Sequence, residues 1–165
     1  MRASSSYWVG AALLLSATAA AVPPAPATYV AEVRGAATAT LRGSAEFGHA
    51  RGSEDGPFVI TLGARAEDGA VVLTRWDGTR PWAGEYRVTE DSTEDGIQAL
   101  VVTGSIERPT GVFRAKSGTV AITSSSLRHM AGRFEMHAVG FLAAEPERED
   151  RDLRVRGSFT ASPSR

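Results

Sequence analysis

The chain has 165 residues, enough for one domain with a real core, since a domain near ~150 residues hides about two-thirds of its unfolded surface. Lys and Arg total 18 against 19 Asp and Glu, a formal net charge of -1, which offers no basic face for nucleic acid. There is no cysteine, which excludes disulfides, thiolate metal sites, a Cys nucleophile and a lipid-modified N-terminal Cys.

Residues 1–27 have the layout of an export signal followed by a tether. Arg2 supplies a weak positive start and residues 7–15, YWVGAALLL, supply the apolar stretch. Ala17-Thr18-Ala19 and Ala19-Ala20-Ala21 both satisfy an A-x-A cleavage pattern. The alternative, an uncleaved membrane tether, has an apolar run shorter than the ~20 residues that span a bilayer. Val22-Pro23-Pro24-Ala25-Pro26 is an extended tether that cannot be helical. The expected location is therefore outside the cytoplasm, with no stable membrane span after cleavage.

Residues 28–165 are expected to form one β-domain. No long apolar stripe of helical period follows Val22; short alternating runs lie between Gly, Pro and Asp-Gly punctuation. The first run, 28–34, puts Tyr29, Ala31 and Val33 on one face. Residues 38–47 align Ala39, Leu41, Gly43, Ala45 and Phe47. After a polar turn at 51–57, residues 58–64 turn Phe58, Ile60 and Leu62 inward. Glu67-Asp68-Gly69 predicts a hairpin, because Asp-Gly supplies the positive φ that such turns need.

Residues 70–76 continue with Val71 and Leu73 on one face, and 84–89 with Tyr86 and Val88. An acidic loop at 90–96 precedes a strand over 97–106. Its centre, Ala99-Leu100-Val101-Val102, is apolar on both faces and predicts cover on both sides. A turn at 108–111 leads into 112–116. Residues 117–141 then predict a strand with Val120 and Ile122 on one face, a Ser-rich bend, and a second strand with Phe134, Met136 and Ala138 on one face. A charged loop at 145–152 precedes the last strand, 153–161. The expected fold is all-β: a single antiparallel β-barrel or two-layer β-sandwich of about eight or nine strands.

Three segments place a glycine on the same face as the apolar residues two and four positions later, from Gly43, Gly132 and Gly157. Glycine inside a strand marks a bend, a bulge or a close approach of backbone; the expectation is that each lets its strand curl while an aromatic fills the core. The segments SGTVAIT (117–123), AGRFEM (131–136) and VRGSFTA (155–161) resemble small exported bacterial β-proteins of unknown function, whose pattern runs "SGTVTIT … GTFSFTA … V-x-G-x-FTA". RPWAGEYRV (80–88) is similar to the "P-x-x-G-x-Y-x-V" that often precedes it. The resemblance covers the second half of the chain. The chain departs from it at His129, Met130, Met136 and His137, and the resemblance brings no catalytic residues.

The chemistry-bearing residues do not assemble into a motif. His49, His129 and His137 lack H-x-H or H-E-x-x-H spacing, so no metal site is expected. Residues 90–96, EDSTEDG, lack the register of a calcium loop and read as a solvated turn. Ser124-Ser125-Ser126 lies near His129 without a G-x-S-x-G elbow. No catalytic residue and no cofactor are expected, and the chain reads as a non-enzyme.

The candidate ligand-binding residues are Trp76 and Trp82, which flank the loop 77–81, and Arg80 within it; the alternative is that one or both tryptophans cap the core. Exposed indoles stack on sugars or apolar molecules, and Arg80 can hydrogen-bond a ligand or stack on the rings. The expected function is a non-enzymatic binding module for a small apolar molecule or glycan. The alternative is a structural or adhesive cell-envelope component with no small-molecule site, which a sealed interior would favour.

Overall fold

The computed structural model describes residues 26–50, 55–63, 68–91 and 96–164. Nearly all of the expected signal, half of the polar turn at 51–57, Glu67 of the predicted hairpin and the centre of the acidic loop lie outside those residues. The described chain is all-β. Its strands are β1 (Thr28–Gly35), β2 (Ala39–His49), β3 (Phe58–Leu62), β4 (Gly69–Arg75), β5 (Gly84–Val88), β6 (Gln98–Gly104), β7 (Pro109–Ser126), β8 (His129–Leu142) and β9 (Arg151–Pro163).

Eight of these close into an antiparallel barrel in the order β1-β2-β3-β4-β6-β7-β8-β9, with β9 returning to β1. Closure removes the free edges that an open sheet would expose. Above the start of β1, where Thr28 pairs with Ser44 and Thr160, the gap is sealed by a short parallel pairing of β2 with β9, Glu46 with Ser162 and Phe47 with Pro163.

The ninth strand, β5, shares an edge of β7 with β6. Residues 109–114 of β7 pair with β6, residues 118–122 pair with β5, and the opposite edge of β7 runs along β8 for its whole length. Val88 and Ile97 meet in a parallel bridge, with the Ile97 N–H donating to the Arg87 carbonyl at 3.0 Å. The residues on either side of the acidic loop thus meet in a single lane of the barrel wall. At the start of the loop Glu90 pairs with Lys116 at 2.7 Å.

The alternation read from the sequence sorts the faces correctly. Tyr29, Ala31, Val33, Leu41, Ala45, Phe47, Phe58, Ile60, Leu62, Val71 and Leu73 are all buried, as are Phe134, Met136, Ala138, Leu153, Val155 and Phe159. Each large apolar side chain moved from water to this interior contributes about 1.5–3 kcal/mol. Outward positions on the same strands carry Glu32, Arg34, Arg133, Glu135, Arg154 and Arg156, exposed or half-exposed. A wall that is charged outside and apolar inside is the reverse of a lipid-facing transmembrane barrel.

Three expectations about the strands are corrected. Leu100 faces outward and is 37% exposed, while Val102, on the same outer side and paired with buried Ala70, is itself buried; β6 is therefore covered on both faces at Val102 and on one face at Leu100. The segments 112–116 and 117–123 are one strand of 18 residues. Two register shifts, at Ala115/Ser117 and Ile122/Ser124, interrupt its alternation. Between them Gly118 has φ 143° and lies directly against the Glu135 carbonyl and Met136, where a side chain has no room. Finally, Ser124-Ser125-Ser126 is strand, and the bend is the two-residue turn Leu127-Arg128 that follows it.

Candidate functional site

The barrel interior is filled by apolar side chains. Phe113, Leu41, Met130 and Leu153 are fully buried in a single cluster with the rings of Phe47, Phe58, Phe134 and Phe159. Among the described residues no Asp, Glu, His, Lys or Arg is buried. The polar groups that reach inside are satisfied: the Thr110 hydroxyl donates to Thr103 Oγ1 at 3.0 Å, and the Tyr29 hydroxyl donates to the Gly69 carbonyl at 2.7 Å. Burial, with the Asp68 charge adding to it, pushes the Tyr29 hydroxyl up to about 12. This tyrosine is neutral packing with one fixed hydrogen bond.

The chemistry lies at the end of the barrel where β2, β4, β7 and β9 finish. The β4–β5 connection, residues 76–83, crosses this rim, and its fold follows from Asp77. That carboxylate accepts from Arg75 Nε at 3.2 Å and from the second Arg75 nitrogen Nη2. It also accepts from the Thr79 N–H at 2.9 Å and the Thr79 hydroxyl at 2.7 Å. An Asp side chain that binds the backbone two residues on is a turn former. The Arg75 hydrogen bonds lower its pKa most, against a smaller opposing effect of burial, and the Thr79 bonds add to the lowering; the carboxyl is held down at about 2. Arg75 in turn stacks over the Tyr86 ring at 5.2 Å.

Trp76 and Trp82 stand out from this connection, 56% and 70% exposed. Neither is loosely held. Trp76 Nε1 donates to Gln98 Oε1 at 2.7 Å, and Gln98 Nε2 donates to the Glu90 carbonyl at 2.7 Å. The Trp82 carbonyl accepts from the Tyr86 hydroxyl at 3.1 Å, and the preceding Pro81 is buried. Two indole surfaces are therefore presented to solvent on a braced loop.

Arg80 takes a different place from the one its sequence neighbours suggest. It turns back over the barrel mouth, with its guanidinium carbon 4.5 Å from the Phe47 ring centre and 6.0 Å from that of Phe58. Nε donates to Ser125 Oγ at 3.2 Å and Nη2 donates to the Ser126 carbonyl. Burial pulls its pKa down from the usual arginine value. Arg80 thus ties the loop that carries Trp82 to the end of β7 and caps the two phenylalanines beneath it.

Beside that tie stands a residue that no sequence motif marks. Leu127, at the tip of the β7–β8 turn, is 84% exposed, the most of any large apolar residue described. The signal was an apolar residue in a two-residue turn, where polar residues are the norm. The three most exposed large apolar side chains, Leu127, Trp82 and Trp76, all lie at this one end.

The histidines stay apart. His49 Nδ1 lies 3.0 Å from the Gly56 carbonyl, and its ring meets Phe58 edge-on. His137 is on the outer wall, 3.5 Å from Asp152, and His129 closes the β7–β8 turn. Among the described residues no three His, Asp or Glu side chains converge as a metal site requires. A shallow groove of about 460 Å³ crosses the outer wall over Glu32, Glu85, Ala121, Arg133 and Arg156. Its charges are mixed in sign, with Arg156 paired to Glu32 at 2.8 Å. Comparison with protein families, with curated proteins and with solved structures finds no match for this chain.

Proposed function

We propose that this protein is a non-enzymatic, exported binding module that works through the aromatic rim of a filled barrel. One contrast carries the reading: the interior is packed with buried rings, while Trp76 and Trp82 are held exposed on a braced loop at one end. Exposed aromatic surface gathered at one end on a braced support is a mark of an interaction site. The filled interior weighs against a small apolar molecule carried inside. A ligand that stacks on the indoles from outside, a glycan or an apolar surface, fits the support better. In this reading Arg80 positions the loop, and Trp76 and Trp82 make the contact.

The alternative, a structural or adhesive envelope component, draws support from the same sealed interior. Tryptophan emission separates the two. Trp8 is replaced by Phe so that only Trp76 and Trp82 report, and the protein is titrated with soluble glycans and with lipid. A shift or quench that Trp82→Ala removes supports the binding module. Emission that no ligand class moves favours the structural role.

A further inference from the structure

We infer that the rim formed by Leu127, Trp82 and Trp76 docks the barrel, end-on, at the headgroup–acyl boundary of a phospholipid bilayer. The inference rests on the reading that this rim is the working surface, and it names the partner.

Leu127 decides between lipid and sugar. A stacking platform for a glycan needs aromatic faces and hydrogen-bonding partners. A leucine at the apex of a hairpin, 84% exposed, adds nothing to such a platform. Beside tryptophans it is the composition of a surface that enters the interface, where indoles settle at headgroup depth and an aliphatic side chain reaches the acyl chains. Leu127 and Trp82 are also held on one support. Arg80 bonds the carbonyl of Ser126, the residue before Leu127, and the chain from Arg80 runs directly through buried Pro81 to Trp82. The backbone that carries both side chains is therefore already ordered, which lowers the entropic cost of binding.

Two further features select the end of the barrel over its side. The wall carries Arg34, Arg133, Arg154 and Arg156 with Glu32 and Glu135, so burying it in lipid is prohibitive. Exposed Arg128, next to Leu127 in the turn, sits where a cation meets lipid phosphates. The chain also enters the barrel from this half: β1 begins at Thr28, just below the rim where β2 and β9 close over it.

The test uses the full chain with Trp8→Phe, bound to phosphatidylcholine–phosphatidylglycerol vesicles that contain lipid brominated near the top of the acyl chain. The expected result is a blue shift and bromine quenching of Trp76 and Trp82 emission, both sharply reduced in Leu127→Asp. Leu127 touches little, so that variant should keep the parent melting temperature, which confirms that its fold is intact. Vesicle-bound protein whose emission is neither shifted nor quenched would overturn the inference, because the rim then stands clear of the lipid. Emission that responds to a soluble glycan and not to lipid would overturn it too, while leaving the aromatic rim as the working surface. No response to either overturns both readings.

Discussion

Phe134 and Phe159, on the paired strands β8 and β9, each lie across a glycine of the other strand, with ring centroids 6.4 Å apart. Phe134 pairs with Gly157 and Phe159 with Gly132. A Cβ built on Gly157 would meet the Val30 carbonyl oxygen first and come within 2.7 Å of the Phe134 ring, and one on Gly132 would lie 2.7 Å from the Ala121 carbonyl oxygen and 2.9 Å from the Phe159 ring. Each glycine leaves room for a neighbouring strand's backbone and for its partner's ring. Gly157→Ala and Gly132→Ala should therefore each destabilise the barrel by about 1–3 kcal/mol, the usual cost of overpacking a full core. Denaturant midpoints check this, and a midpoint unchanged in both variants would show that the rings and the adjoining strands can give way.

Tyr29 predicts a stability loss at high pH. Its hydroxyl titrates at about 12 in the folded barrel against 10.0 ordinarily, first because it is buried and then because Asp68 is near. A raised pKa on a group that is neutral when protonated gives stability fully present below pH 10 and lost as pH rises towards 12. Tyr29→Phe should remove that loss. At neutral pH it should cost about 1–3 kcal/mol, because the buried Gly69 carbonyl loses its donor. Urea titrations at pH 7 and at pH 11 measure both effects.

Asp77 predicts the opposite, a loosening in acid. Its pKa is depressed to about 2 from 3.8, chiefly by hydrogen bonds from Arg75. A depressed carboxylate stabilises the folded loop above its unfolded pKa and loses that contribution as pH falls from 3.8 through about 2. Trp76 and Trp82 emission should change over that window, and Asp77→Asn should show the loosened spectrum already at neutral pH. An emission profile flat across the window would separate the turn from the presentation of the indoles.

Arg80 should matter for stability more than its partial exposure suggests. Arg80→Ala removes the stack on Phe47 and the bonds to Ser125 and Ser126, at an expected cost of about 2 kcal/mol. Arg80→Lys should recover less than half, because an ammonium cannot lie flat on a ring and bond sideways at once. Thermal melts of the two variants make the comparison.

The wall of this barrel was legible in the sequence because one face of each strand is buried, and burial imposes a period of two on the residues. Tyr29-Ala31-Val33 and Phe58-Ile60-Leu62 are read directly that way. β7 was not, because its two bulges reset the alternation and Gly118 imitates a turn. The seat of β5 was hidden for another reason. Sequence neighbours usually pair, yet β4 pairs with β6, and β5 takes a separate stretch of the β7 edge.

The rim was less legible. The sequence left Trp76 and Trp82 between capping the core and facing solvent, and the structure shows both exposed. The inward turn of Arg80 depends on Phe47, Phe58 and Ser126, which only the closed barrel brings to the same rim. Leu127 acquires meaning only once its turn is seen beside the loop that carries Trp82.

The most direct test of rim binding is a map of ligand-induced amide shifts in the ¹⁵N-labelled protein, taken with lipid bicelles and with glycans. Shifts should cluster on residues 76–86 and 125–129, with the amides of Leu41, Phe113 and Leu153 unmoved. Shifts centred on those three buried residues would contradict it, since they would mean that the barrel opens to take a ligand inside.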